Sequence, residues 1–241
     1  MARPGFVKNL GLSVFWTIVR AMRTVLIATG NAHKVDEIRS ILGADYHYLT
    51  SKDLADEPTI VEDGDSFAAN ATIKVHAIAR AYLRAGVKEA TQSIEPTSMW
   101  VLADDSGLEV DFLNGAPGVH SARYAAPEGS EGNAPDAANN AKLMDALEGV
   151  DDAERTARFR CVIALRRLTE ETVDVFDGAC EGRIAKHASG GGGFGYDPLF
   201  HPEGHSASFG ELGESIKSQI SHRSRALAKV ARYFADVDAA S

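Results

Sequence analysis

The stretch Val25-Leu-Ile-Ala-Thr-Gly-Asn-Ala-His-Lys34 constrains this chain more than any other. Val25 to Ala28 is an unbroken apolar run of strand length, and Thr29-Gly30-Asn31 ends it with turn residues. A helical pattern begins at once. Asn31 is a favoured N-cap, Val35, Ile38, Ile41 and Leu42 form one apolar stripe over residues 32–42, and Gly43 ends the helix. A buried strand, a tight turn and a helix in direct succession demand a sheet with a helix laid on it. The turn also has chemical meaning. The first N–H groups of a helix lack intrahelical partners and carry partial positive charge, so an anion fits there. Lys34, one turn in, adds a full charge.

The rest of the chain alternates in the same way. Tyr46 to Thr50 reads as a strand, and residues 51–64 as an acidic loop containing Pro58. Ser66 caps a helix that runs to about Leu83, with Phe67, Ala71, Val75, Ile78 and Tyr82 at helical spacing. Residues 86–98 are polar and aperiodic, a surface excursion. Met99 to Ala103 is a buried strand running into Asp104-Asp105-Ser106-Gly107, and 108–112 is a further strand closed by the turn at 114–118. Ser121 to Tyr124 begins a short helical piece, and 136–147 is helical. Residues 157–168 and 172–184, separated by Thr169-Glu170-Glu171, predict a long antiparallel hairpin. Residues 221–234 form the last helix. This order fits a mixed α/β fold with a mixed sheet flanked by helices, rather than an all-parallel sheet. With no repeat and no linker, residues 22–241 read as one domain.

Residues 1–21 read as an N-terminal extension or as the product of a start upstream of Met22. Their apolar part, 11–19, is too short to cross a bilayer as a helix, which needs about 20 residues. No small-x-small cleavage site follows it, which argues against a signal peptide. The formal charge of -9 argues against a duplex nucleic-acid partner. An acidic protein that grips a polyphosphate needs a local basic pocket or a divalent cation. Cys161 and Cys180 lie in apolar, strand-like surroundings without metal-ligand spacing, as expected of small buried hydrophobes in a reducing compartment.

Four clusters carry the candidate chemistry. Asp104 and Asp105, placed where a strand gives way to a turn, can both reach one cleft. There they suit a hard divalent ion or a base that activates water, or they merely cap the next element. Glu62 is an ordinary solvated acid unless an ion at Asp105 needs a second oxygen. The glycines at 190–193 and 195 give either a flexible loop or close approach of backbone N–H groups to a ligand. Phe194, Tyr196 and Asp197 favour the second, since a ring can stack on a base and a carboxylate can accept from ring N–H groups. Lys217, His222 and Arg223 put positive charge at a helix start, against the dipole, so an anion or carbonyl acceptor is expected near them. His33 reads as a surface neighbour of Lys34. No dinucleotide fingerprint, P-loop, nucleophile elbow or zinc spacing is present.

Taken in order, these pieces resemble the inosine triphosphate pyrophosphatases. The matching segments are Thr29-Gly-Asn-x-x-Lys34 with Glu37, Glu62-x-Gly64, Asn70-Ala with Lys74, and Ala103-Asp-Asp-Ser-Gly-Leu108. They continue with Gly115-Ala-Pro-Gly118, Ser121-Ala-Arg-Tyr124, Gly193-Phe-Gly-Tyr-Asp-Pro198, and Lys217 before Ser221-His-Arg223. The resemblance implies an elongated mixed sheet with two lobes around a central substrate cleft. It implies Mg2+-dependent hydrolysis of ITP, dITP and XTP to the monophosphate and pyrophosphate, by a cytoplasmic homodimer that takes no nucleic acid or membrane partner. It assigns the triphosphate to Thr29, Gly30, Asn31, Ala32, His33 and Lys34, and general base and metal ligation to Asp105 with Glu62 as second ligand. Ser106 would touch the substrate, and Phe194, Gly195, Tyr196, Asp197, Lys217, His222 and Arg223 would form the base pocket. Two positions depart from the family pattern: Ala69 and Ile216 stand where a glutamate is common. Two rival readings keep parts of this site: a pyrophosphatase for pyrimidine or modified nucleotides, and a nucleotide-binding regulator without catalysis.

Overall fold

The computed structural model describes residues 22–88, 96–127, 129 and 132–240. The extension at 1–21 and most of the 86–98 excursion lie outside the described residues. One six-stranded sheet organises the chain. Its strands are β1 (Arg23–Ile27), β2 (Tyr46–Thr50), β3 (Met99–Val110), β4 (Thr156–Arg167), β5 (Asp174–Ile184) and β6 (Phe200–Pro202), in the order β2-β1-β3-β4-β5-β6. β1 runs parallel to β2 and β3, and the rest is antiparallel, so the sheet is mixed. The helices are α1 (Ala32–Leu42), α2 (Phe67–Ala85), α3 (Asp136–Ala146), α4 (Phe209–Ile220) and α5 (His222–Ala239).

The alternation of side chains along each strand divides the sheet between two cores. Leu26, Met99, Val101 and Val162 pack under α2 with Phe67, Ala71, Val75 and Ile78. Val25, Ile27, Trp100, Leu102 and Ile163 pack against α1 and α5 with Val35, Ile38, Leu227, Val230 and Phe234. A third core, around Leu108, Val110, Phe159, Phe200 and Phe209, fills the far end of the sheet. β3 and β4 are paired from Trp100↔Arg167 to Val110↔Ala157, so they run from the first two cores into the third.

Three local expectations need correction. Residues 104–107 do not turn. They stay in β3, with Asp104 opposite Ile163 and Asp105 opposite Val162, because β4 supplies an unbroken ladder partner. β6 and α4 are additional elements. α4 starts in a capping box, with Ser208 as N-cap and Glu211 three residues on. Gly213, at φ +73°, breaks its regularity and so hides the helical period. Lys217 accordingly sits in α4 and not at the start of the last helix.

Candidate active site

Asp104 and Asp105 are consecutive residues of one strand, so they face opposite sides of the sheet. Each meets a different set of charges, contrary to the single cleft expected of a turn. On the α1–α5 side, Asp104 is buried under three cationic and polar groups. Lys34 Nζ donates to Oδ1 at 2.6 Å, Arg223 Nε to Oδ2 at 2.9 Å, and Ser106 Oγ to Oδ1 at 3.0 Å. The Cys161 thiol donates to Oδ2 at 3.1 Å. Burial alone would raise the Asp104 carboxyl. Arg223 and Lys34 outweigh it and hold the group well below the usual carboxylate range.

On the α2 side, Asp105 Oδ1 accepts from Lys74 Nζ at 2.8 Å, and the same ammonium donates to Glu62 Oε2 at 2.9 Å. Asn70 Nδ2 makes a long contact of 3.4 Å to Asp105 Oδ2, while its Oδ1 accepts from the Gly64 N–H at 2.9 Å and ties down the acidic loop. Here burial wins: it lifts the Asp105 carboxyl above its ordinary value, with Lys74 opposing. Burial lowers Lys74, but Asp105 and Glu62 overcome it, and the lysine ends above its ordinary value. Two neighbouring carboxylates are thus driven apart, one locked as an anion and the other made more basic.

The corner that opens the chain has the expected form. Asn31 caps α1, its Oδ1 accepting from the Lys34 N–H at 3.3 Å, and Thr29 Oγ1 accepts from the Asn31 N–H at 3.2 Å. Gly30, Ala32 and His33 are exposed there. Thr29, Gly30, Asn31 and Lys34 share one chamber with Glu62, Lys74 and Asp105. A second chamber contains Phe159, Phe194, Gly195, Tyr196, Asp197, Lys217, His222 and Arg223. Asn31, Lys34 and Ser106 line both, so the two chambers adjoin.

The second chamber is a charge lattice around one aromatic ring. Lys217 Nζ donates to Asp197 Oδ2 at 2.7 Å and lies 2.8 Å from Glu37 Oε1. It also sits 4.5 Å from the Phe194 ring centre. Arg223 bonds Glu37 as well as Asp104, and its Nη2 donates to Ser106 Oγ at 2.9 Å. The acceptor that its place at a helix start called for is therefore a pair of buried carboxylates, Asp104 and Glu37. Burial raises Asp197 above its ordinary value against the pull of Lys217; for Glu37 burial is outweighed by Arg223 and Lys217, which lower it. His222 stacks on Phe159 at 4.8 Å, and burial keeps its imidazole well below its ordinary pKa, hence neutral. Tyr196 donates to the Ser121 carbonyl at 2.8 Å. His33 stacks on Phe194, with ring centres 5.4 Å apart.

The sequence alone assigns no role to Lys74, Asn70 or Glu37, yet in the structure Lys74 and Asn70 hold Asp105, and Glu37 pairs with Arg223 and Lys217. A signal existed for two of them. Asn70 and Lys74 fall on the apolar stripe of α2, between Phe67, Ala71 and Ile78, where a polar residue needs a buried partner.

Comparison with known proteins shows the family. The model of the Ham1 family matches residues 25–233. The dITP/XTP pyrophosphatase of Rhodopirellula baltica is 42% identical over 207 residues, covering 86% of this chain and 90% of that protein. That of Porphyromonas gingivalis is 41% identical over 209 residues, covering 87% and 96%. Among solved structures, a Ham1 protein from Coxiella burnetii superposes with a TM-score of 0.73 at 34% identity, over 89% of this chain and all of that one (100%). A nucleoside-triphosphatase, dITP/XTP pyrophosphatase, from Mycobacterium abscessus gives 0.63 at 34%, over 86% and 98%. The match spans the phosphate corner, both carboxylates and the aromatic chamber, and the chain belongs to the Ham1 family.

Proposed function

We propose that this protein hydrolyses dITP, ITP and XTP between the α- and β-phosphates, releasing the monophosphate and pyrophosphate and clearing these nucleotides from the pool. The observation that carries this reading is the joined pair of chambers. An anionic tail seated on Thr29–Lys34 and a base against Phe194 make one elongated ligand, and Asp105 lines the tail's chamber. The N-terminus of α1 supplies N–H donors to the tail. Asp105, made more basic by burial, accepts a proton from the water that attacks the α-phosphorus. Lys74 keeps Asp105 and Glu62 in register and offsets their repulsion. Asp104 stays ionised and fixes Lys34, Arg223 and Ser106 around the substrate.

The family reaction calls for Mg2+, and the donor set fits it. Asp105 and Glu62 offer hard carboxylate oxygens that already converge on one cation, Lys74 Nζ, and among the described residues no cysteine or histidine lines their chamber. Among the described residues no group of three or more metal-ligating side chains forms a cage. Mg2+ is commonly held by one or two carboxylates plus substrate phosphates, and Asp105 and Glu62 would be those carboxylates. When bound, the ion supplies positive charge against the phosphate oxygens.

Hypoxanthine and xanthine present a keto oxygen at C6, where adenine presents an amino group. Donors in the chamber would be left unpaired by adenine, which sets the preference. Arg223 Nη1 and Lys217 Nζ each keep one hydrogen beyond those given to Asp104, Glu37, Ser106 and Asp197, so these two and the backbone N–H groups are the candidates for that contact. A homodimer and a cytoplasmic location complete the proposal. The family resemblance supports both, and the two buried free cysteines agree with a reducing compartment. No described helix is long and apolar enough to cross a membrane.

The test is incubation with Mg2+ and, in turn, dITP, ITP, XTP, GTP, ATP and dTTP, measuring pyrophosphate and orthophosphate. Pyrophosphate from the first three, lost on chelation, is the expected result. Orthophosphate alone, or a preference for dTTP, would contradict the proposal. Light scattering and cell fractionation test the dimer and the location.

A further inference from the structure

We infer that Asp136 and Asn140 of α3 act together as positioning residues for the base chamber, by clasping the backbone of Gly195 on both sides. The inference rests on the reading of that chamber as a purine site. Asp136 Oδ2 accepts from the Gly195 N–H at 2.7 Å, and Asn140 Nδ2 donates to the Gly195 carbonyl at 3.0 Å. Residues four apart on a helix point the same way, so α3 presents an acceptor and a donor side by side. One residue of the glycine-rich segment satisfies both. Gly195 has φ +62°, a conformation that side chains other than glycine's rarely adopt, so its N–H and C=O are turned to α3 by a backbone shape that its sequence specifies.

What the clasp holds is the working part of the segment. Phe194 precedes Gly195 and Asp197 lies two residues after it, and the Phe194 N–H donates to Asp197 Oδ2 at 2.9 Å. The far end of the segment is fixed separately, by the Gly192 N–H on the Gly210 carbonyl at 3.0 Å. The neighbours of Gly195 have ties of their own, Phe194 through Asp197 and the His33 ring, and Tyr196 through its hydroxyl and its carbonyl, so α3 is what holds Gly195 itself.

Another part of the chamber's lining hangs from the same helix. Asn139, 2% exposed, accepts from the Ala125 N–H at 2.8 Å and donates to the Ala122 carbonyl at 3.2 Å. Ala122 and Ala134 line the same chamber as Phe194. Asn139 thus anchors the Ala122 segment while Asp136 and Asn140 anchor the Gly195 segment, and α3 ties the two parts of the lining to one helix. The phosphate corner and Asp105 are carried by β1, α1 and β3. The clasp therefore governs how tightly a base is held and told apart from others, and leaves the bond-breaking step to other elements.

The experiment compares Asp136→Ala, Asn140→Ala and Asp136→Asn with the wild type. The expected result is a KM for dITP raised roughly five- to tenfold in each alanine variant, the worth of one hydrogen bond, with kcat within about twofold. Discrimination of dITP over dGTP falls in parallel. Inhibition by inorganic tripolyphosphate, which has no base, stays at the wild-type value. Asp136→Asn keeps a side-chain oxygen for the Gly195 N–H and brings KM back toward the wild type. Unchanged KM in both alanine variants, an equal loss of tripolyphosphate affinity, or no recovery in Asp136→Asn would overturn the inference. Turnover of dITP by the wild type tests the function separately. Should the wild type prove inactive, calorimetric binding of dIMP to the same variants decides the clasp: weaker binding supports it, and unchanged binding overturns it.

Discussion

Arg223→Met tests the charge lattice that separates the two aspartates. The substitution keeps much of the apolar stem and removes the guanidinium. Asp104, which is fully buried, then loses two of its donors, and Glu37 loses one of its two cations. Breaking a buried pair by removing one partner costs about 3–5 kcal/mol, because the other charge stays buried. Lys34 remains on Asp104 and Lys217 on Glu37, so the lower end, about 3 kcal/mol, is expected in urea denaturation at pH 7. The pH dependence has a definite sign. Asp104 titrates below its unfolded value in the folded state, so its contribution is present above that value and is lost as pH falls through the folded one. Without Arg223 the folded value rises, and this contribution shrinks. In a double-mutant cycle, Asp104→Asn in the Arg223→Met background costs less than in the wild type, with a coupling of about 1.5 kcal/mol or more. A loss below about 1 kcal/mol, or additivity within about 0.5 kcal/mol, would refute the reasoning.

Three further outcomes follow from the same geometry. Asp105→Asn retains dITP binding and loses turnover about 10²- to 10⁴-fold, read by pyrophosphate release and equilibrium binding; a rate near wild type would remove Asp105 as the base. His222 is neutral and stacked when folded but titrates near 6.5 when unfolded. Its contribution is therefore present above pH ~6.5 and lost below it, at up to about 1.4 kcal/mol per pH unit, and His222→Phe should flatten the pH 7-to-5 stability profile by that amount. In Gly178→Ala the new Cβ would lie 2.2 Å from the His222 carbonyl oxygen and 2.6 Å from the Ala226 nitrogen. It pushes α5 off β5 and costs about 2–3 kcal/mol in thermal or urea unfolding, where a neutral effect would contradict the packing.

The periodic parts of this fold were legible in the sequence because one stripe or one alternation decides them. α1, α2 and the β4–β5 hairpin emerge where their patterns place them. β3 was read as two strands because Asp-Asp-Ser-Gly looks like a turn when its charges have no visible partners. In the folded chain, Lys34 of α1, Arg223 of α5, and Asn70 and Lys74 of α2 arrive from three other stretches and make those polar positions compatible with a central strand. α4 escaped because Gly213 interrupts its period. The phosphate corner was legible as local chemistry. The opposed environments of Asp104 and Asp105 were not, since which face a residue takes depends on where its strand continues.

The central claim is that water attacks the α-phosphorus, with Asp105 as the base and pyrophosphate as the leaving group. Hydrolysis of dITP in H2(18)O with Mg2+, followed by mass spectrometry of both products, tests it most directly. The label is expected in dIMP, with unlabelled pyrophosphate. Label in pyrophosphate, or in orthophosphate released from the γ-position, would contradict the account.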